Sequence, residues 1–291
     1  MKTQTLISLH GGHSGQFCCH AGNTLEEMIR AYIDKGFKTV GITEHMPMPG
    51  DEFLYPDEVA QGLTAMDLHD RFRRYFEELN RLRDAYRDQI TVYRGFETET
   101  VTGAIDLART LIREFEPDYI VGSVHHVNDR CFDYSRENYD AIARDCGSVH
   151  AMYLAYFDAQ FEMIRALRPF VVGHFDIIRI FDDRYARRLD HPEIRERMVR
   201  NLSLIRDLGL VLDYNLRPLA RGEKAPYLAP PVLELAKEMD IGVVPGDDAH
   251  NTDQAGKFVA GAVRNLAGMG FSTQWPVPRL IKGPAAGERH P

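Results

Sequence analysis

Seven short apolar runs, each ending in a polar or metal-competent residue, constrain this chain more than any other feature. They are Thr5 to Leu9, Thr39 to Thr43, Ile90 to Phe96, Tyr119 to Val124, Phe170 to Gly173, Leu210 to Tyr214 and Ile241 to Pro245. Val and Ile dominate them, and several are apolar on consecutive residues, as parallel strands covered on both faces should be. Amphipathic stretches alternate with these runs: Thr24 to Lys35, Met66 to Tyr86, Ala104 to Phe115, Arg136 to Leu167, Pro192 to Asp207 and Pro231 to Met239. Asn23 or Thr24 can cap the first, Gly36 can end it, and Gly209 follows the fifth. The alternation predicts a parallel sheet, and seven strands over 291 residues predict a closed or nearly closed barrel rather than two domains. An open doubly wound sheet is the alternative, but neither phosphate-binding glycine fingerprint occurs.

Barrels of this kind gather their functional groups at the carboxyl ends of the strands. The first run leads into HGGHSGQFCCH, with His10, His13 and His20 on a glycine-loosened turn. The others deliver Glu44 and His45; Glu97 and Glu99; His125 and His126; His174 and Asp176; Asp213 and Asn215; and Asp247, Asp248 and His250. Eight of the twelve histidines therefore fall on one rim. His69, His150, His191 and His290 fall in helices or loops and read as ordinary surface or capping residues. Imidazole is the commonest protein metal ligand, so this concentration predicts a site for several metal ions.

The two-residue period of a strand sorts some of these groups. Asp248 and His250 share a side, and Asp247 points away as a supporting carboxylate. His125 and His126 cannot both point inward from a regular strand, whereas Glu97 and Glu99 share a side and are not separated. Asp176 can orient a ligand by accepting an imidazole N–H. Asn215 suits either a substrate contact or a turn.

Composition narrows the classes of partner. A net charge of −8 argues against a nucleic-acid groove or an anionic membrane surface. No apolar run is long enough to span a bilayer and no secretory leader is evident, so a cytoplasmic location is expected. Cys18, Cys19, Cys131 and Cys146 form no C-x-x-C pair and read as reduced thiols, the first two near enough to the histidines for a supporting role. The segment near 46–65, rich in Pro, Gly and acid, reads as a lid over the site. Residues 283–291, small and polar, read as a frayed tail beyond a single domain spanning 1–282.

Six ordered motifs carry a resemblance. They are HSGQFCCHA from His13, TEHMP from Thr43, GFETE from Gly95, VGSVHHV from Val121, GHFD from Gly173 and DDAH from Asp247. Together they resemble the polymerase and histidinol phosphatase (PHP) family, in its histidinol-phosphate phosphatase branch, over His10 to His250. The resemblance implies a distorted seven-stranded (β/α) barrel holding two or three divalent metals, usually zinc, iron or manganese. It implies His13, His20, His45, Glu97, His125, His174, Asp248 and His250 as ligands, with Glu97 as a bridge, and Glu97, Asp248 and His250 as the catalytic candidates. His126 then falls outside the ligand set.

The family opens with His-x-His, whereas here the position two before His13 is Gly11. His10 lies one step further back. Gly11 and Gly12 can enter dihedral regions closed to other residues and bulge the strand end, so His10 is expected to turn inward beside His13 as a ligand. Phosphoryl oxygens also need cationic partners, and Arg179, Arg217 and Arg221 are the candidates that the sequence leaves open. The implied reaction is hydrolysis of L-histidinol phosphate in histidine biosynthesis, with a small phosphorylated substrate and neither nucleic acid nor membrane as partner. A phosphoesterase for another small phosphate, such as a nucleotide, is the runner-up, and a metal-binding module without activity a third reading. The sequence leaves the oligomeric state open.

Overall fold

A computed structural model describes residues 5–281, so the polar tail from Gly283 lies outside the described residues. Its centre is a curled, all-parallel sheet of six strands. These are β1 (Thr39–His45), β2 (Thr91–Glu97), β3 (Val121–Gly122), β6 (Val171–Val172), β7 (Val211–Asn215) and β8 (Gly242–Gly246), hydrogen-bonded in that order. The two remaining strands, β4 (His126–Val127) and β5 (Arg130–Cys131), form a small antiparallel hairpin that the periodicity does not reveal. No helix among the described residues is long and apolar enough to cross a membrane.

Both faces of the sheet are buried, and the strand period sorts them. Val172, Leu212 and Val243 join the large core beneath the helices. Their neighbours Val171, Val211 and Val244 join a second cluster with Leu9, Tyr119 and Phe170. That is why these runs are apolar on consecutive residues. The helices fall close to the expected stretches, the first capped by a reciprocal Thr24–Glu27 box. One expectation needs correction. Arg136 to Leu167 is two helices, Arg136–Asp145 and Val149–Leu167, because Gly147 turns left-handed at φ +87° and Ser148 caps a fresh start.

The expected first strand forms no regular ladder. The hydroxyl of Ser8 takes the place of a ladder carbonyl, accepting from the Asp247 amide at 3.0 Å while donating to the Asp247 carboxylate at 2.7 Å. The segment is still held on both sides: Leu9 N–H donates to Pro245 and the Gly41 N–H donates to Ser8. It lies between β8 and β1, the two edges of the sheet.

Gly11 and Gly12 act differently from the sequence-based expectation. Neither has a left-handed φ. What they supply is closeness: a Cβ on Gly11 would sit 1.8 Å from the Gly41 carbonyl oxygen, and one on Gly12 would sit 2.4 Å from Met28. Backbone cannot yield there as a flexible side chain can. Gly11→Ala should therefore cost about 1–3 kcal/mol by urea unfolding, the range for forced overpacking. Gly22→Ala, whose Cβ would meet nothing nearer than 3.8 Å, should be near neutral. Equal stability for the two variants would refute the close-approach account.

Candidate metal centre

β1 and β2 pair in register along their whole length, which sets His45 beside Glu97 at the carboxyl end. Glu97 is the hub. Its Oε2 lies 3.3 Å from His10 Nε2, 3.3 Å from His45 Nδ1 and 3.8 Å from His13 Nε2. Its Oε1 lies 3.1 Å from His125 Nε2 and 3.0 Å from His174 Nε2. The two oxygens of one buried carboxylate thus face two different sets of imidazoles. Asp248 joins from β8, with Oδ1 3.3 Å from His13 Nε2 and 3.6 Å from His250 Nδ1. Glu99 is also inside, 3.3 Å from His45 Nδ1 and 3.4 Å from His126 Nδ1.

Behind the imidazoles stands a ring of acceptors that fixes their tautomers. Asp213 meets His10 Nδ1 at 2.8 Å, and Asp133 meets His125 Nδ1 at 2.9 Å. The Asp248 carbonyl meets His250 Nδ1 at 3.0 Å. Glu44, held by the amide and hydroxyl of Ser14, approaches His13 Nδ1 at 3.5 Å. For His10, His125 and His250, an Nδ1–H engaged in this way leaves the Nε2 lone pair free to bind, whereas Glu44 lies near His13 without a hydrogen bond. Asp213 and Glu44 end strands and were visible as such. Asp133 follows the β4–β5 hairpin, too short to leave a pattern.

The donor set fits divalent metal ions. His10 Nε2, both nitrogens of His13 and His45 Nδ1 are buried without a hydrogen-bond partner, a costly condition that bound cations relieve. Donor atoms within 4.8 Å of one another include His10, His13 and Glu97; Glu97, His125 and His174; and His13, Cys18, His45 and His250. The electrostatics agree. Burial opposes ionisation of Glu97, but His10, His45 and His125 outweigh it and hold the carboxyl well below its ordinary range. Burial likewise opposes protonation of His13, yet Asp248 and Glu44 push it up to about 9. Protons held on such imidazoles occupy the positions that metal ions contest.

The remaining sequence candidates separate. His20 stands at the rim, 3.3 Å from Asp57 and with its ring 5.0 Å from that of His250. Arg217 and Arg221 line the central cavity of about 250 Å³, together with Tyr134, Tyr227 and Ile177. Arg179 does not: its Nε donates to Asp176, it lies between the rings of Tyr185 and Tyr227, and it faces a different, largely apolar cavity. Asp176 accepts no imidazole N–H, because Arg179 and the amides of Leu228 and Ala229 occupy both its oxygens. Asp247 is turned away onto Ser8, Tyr32 and Gly256. All four cysteines are free.

The PHP domain model matches residues 9–216. The chain belongs to the PHP domain family. A Schizosaccharomyces pombe protein named a probable histidinol-phosphatase is 35% identical over 254 residues, covering 86% of this chain and 82% of its own. The Bacillus subtilis histidinol-phosphatase is 27% identical, covering 82% of this chain and 92% of its own. A solved Lactococcus lactis histidinol phosphate phosphatase, complexed with zinc, L-histidinol and phosphate, shares the fold at TM-score 0.67 and 16% identity, over 92% of this chain and 95% of its own. In this PHP chain, as in a barrel enzyme generally, the donors converge at the carboxyl ends of the strands.

The expected lid contains a 3-10 turn, Asp51–Phe53, and a short helix, Pro56–Ala60. Tyr55 between them donates to Glu99 at 3.1 Å and so ties the segment to the centre. Two of its acids are engaged locally, Asp51 accepting from the Ala65 amide and Glu58 from the Tyr55 amide, while Asp57 meets His20. Burial, reinforced by Glu99 and Asp57 against the Tyr55 bond, pushes the Glu58 carboxyl from 4.5 up to about 7. A raised carboxyl favours the docked state most fully below its free value, and that contribution is lost as pH rises through the raised one. Cleavage of this segment in limited proteolysis, normalised to an unfolded substrate, should therefore rise between about pH 5 and 8. Glu58→Gln should flatten the rise, and an unchanged profile in that variant would discard the account.

Proposed function

We propose that the protein is a metal-dependent phosphomonoesterase that hydrolyses L-histidinol phosphate to L-histidinol and phosphate. The observation that carries this reading is a single buried carboxylate, Glu97, facing imidazoles with both oxygens in a cavity that also holds two arginines. His10, His13, Glu97 and Asp248 would hold one ion, and Glu97, His125 and His174 a second. His45 and His250 would hold a third, with His20 reaching in from the rim. Imidazole-rich ligation suits zinc or iron, and the carboxylates admit manganese. Such ions, when bound, acidify water and neutralise phosphoryl oxygens, the two demands of phosphate ester hydrolysis.

The chain's own residues supply the rest. Arg217 is held by the Gln254 side chain at 2.9 Å, which aims a planar cation at the cavity. With Arg221 it offers forked donors to the phosphoryl group. Tyr55, whose hydroxyl donates to Glu99, lines one side of the cavity. Tyr134, which lines the same cavity, suits the imidazole of the leaving alcohol. The likeness to proteins named histidinol-phosphatase supports this substrate over other small phosphates. We further read the Ser8 to His10 segment as the seventh stave of a distorted (β/α) barrel, residues 1–282 as one domain, and the free thiols as suited to the cytoplasm.

Phosphate release across a panel of phosphomonoesters tests the substrate. Histidinol phosphate should exceed uncharged alkyl phosphates in kcat/KM by at least about tenfold, the effect of one well-placed charged contact. Equal values would leave a general phosphoesterase. Glu97→Gln should abolish turnover and lower metal content while the circular dichroism spectrum stays native, because Glu97 contacts donors rather than core. Wild-type rate and metal content in that variant would remove Glu97 from the centre.

A further inference from the structure

Tyr227 is buried, 1% exposed, and its hydroxyl has no hydrogen-bond partner. A core would normally place Phe there, since an unmet buried hydroxyl costs stability. Tyr139 and Tyr153 share that condition, but only Tyr227 of the three lines the cavity that holds Arg217, Arg221 and the histidine cluster.

The chain goes to some length to hold this side chain in place. The Tyr227 amide donates to the Asn215 carbonyl at the end of β7. The next two amides, of Leu228 and Ala229, both donate at 2.8 Å to Asp176, two residues beyond His174. Leu228 adopts φ +71°, a left-handed conformation that a branched side chain enters only when its surroundings impose it. The Tyr227 ring is then fixed from two directions, by the Arg179 guanidinium 4.8 Å from its centroid and by the His174 ring at 6.1 Å. Strain at Leu228 and an unmet hydroxyl at Tyr227 lie on adjacent residues, and both point to a position kept for what enters the cavity.

Resting on the phosphomonoesterase reading above, we propose that the Tyr227 hydroxyl donates a hydrogen bond to a non-bridging phosphoryl oxygen of the substrate, beside the arginine forks. Burial keeps the phenol protonated, against the lowering effect of Arg221 and Arg179, so it acts as a donor. A neutral donor adds orientation without adding charge to a cavity already rich in cations. Arg179 acts on this hydroxyl indirectly, as a positioning residue.

The test compares metal-loaded wild type with Tyr227→Phe and the control Tyr153→Phe. Tyr227→Phe should lower kcat/KM for histidinol phosphate and weaken binding of inorganic phosphate by calorimetry, each about 10- to 100-fold. Metal content and thermal midpoint should stay at wild-type values or rise, and Tyr153→Phe should leave kinetics and phosphate binding alone. Unchanged phosphate affinity and kcat/KM in Tyr227→Phe would overturn the proposal, as would loss of metal, which would mark the hydroxyl as part of the ligand scaffold. If wild type binds phosphate in a Tyr227-dependent manner yet releases none from histidinol phosphate, the substrate reading fails and this one stands.

Discussion

An ionised carboxylate with 1% exposure, placed where strands converge, is the constraint on which the rest of this structure depends. Removing such a charge from water is costly, and only well-oriented opposite charges and donors recover the cost. Glu97 has five imidazole nitrogens within 3.8 Å. Three further strand ends, those of β1, β3 and β6, and the turn after Leu9 are needed to bring them there. A parallel sheet with uniform strand direction achieves this, because every carboxyl end arrives on the same rim. The register of β1 against β2 settles the nearest contact, His45 beside Glu97.

The imidazoles in turn require the outer carboxylates. A histidine free to rotate would meet Glu97 with either nitrogen or neither, so each orienting acceptor converts a flexible ring into a directed donor. Asp213 shows how tightly this is shared: its Oδ2 takes His10 Nδ1, the His174 amide at 3.2 Å and Asn215 Nδ2 at 2.9 Å. Asn215 also reaches Asp248 Oδ2 at 3.2 Å. Groups from β6, β7 and β8 and the first turn are therefore tied through two side chains. A change at one is felt at several donors, and such effects are not additive.

How much of this was legible in the sequence follows from what leaves a periodic trace. Six of the seven apolar runs became strands because consecutive Val and Ile residues, buried on both faces, are a strong signal. Reading the residue after each run located Glu97, His45, His174 and Asp248 on one rim without any structure. The run from Thr5 to Leu9 was misjudged in detail, because the Ser8 hydroxyl replaces a ladder carbonyl and no period records that. Asp133 and Tyr227 left no trace at all. The first hangs from a hairpin of two-residue strands, and the second sits in an irregular loop whose course is set by Asp176, far away in the chain. Arg179 misled for a related reason: proximity in sequence to GHFD suggested the site, while its guanidinium is turned onto Asp176 and two tyrosines.

Two of the eight left-handed non-glycine residues among the described residues lie beside the donors and the cavity. Asp248 has φ +45°, and Leu228 has φ +71°. Each belongs to a residue whose amide is held from outside its own loop: Asp248 by the His10 carbonyl at 2.9 Å, Leu228 by Asp176. The left-handed turn at Asp248 occurs where β8 leaves the ladder, and it lets Asp248 and His250 face the cluster while Asp247 braces Ser8 and Tyr32 behind it. Strand alternation alone would send Asp248 and His250 one way and Asp247 the other, and the left-handed turn keeps that division after β8 has ended at Gly246. The conformational cost, on the order of 1–3 kcal/mol for such an outlier, is offset by the buried hydrogen bonds of Asp247, so one carboxylate stabilises the backbone that aims the next.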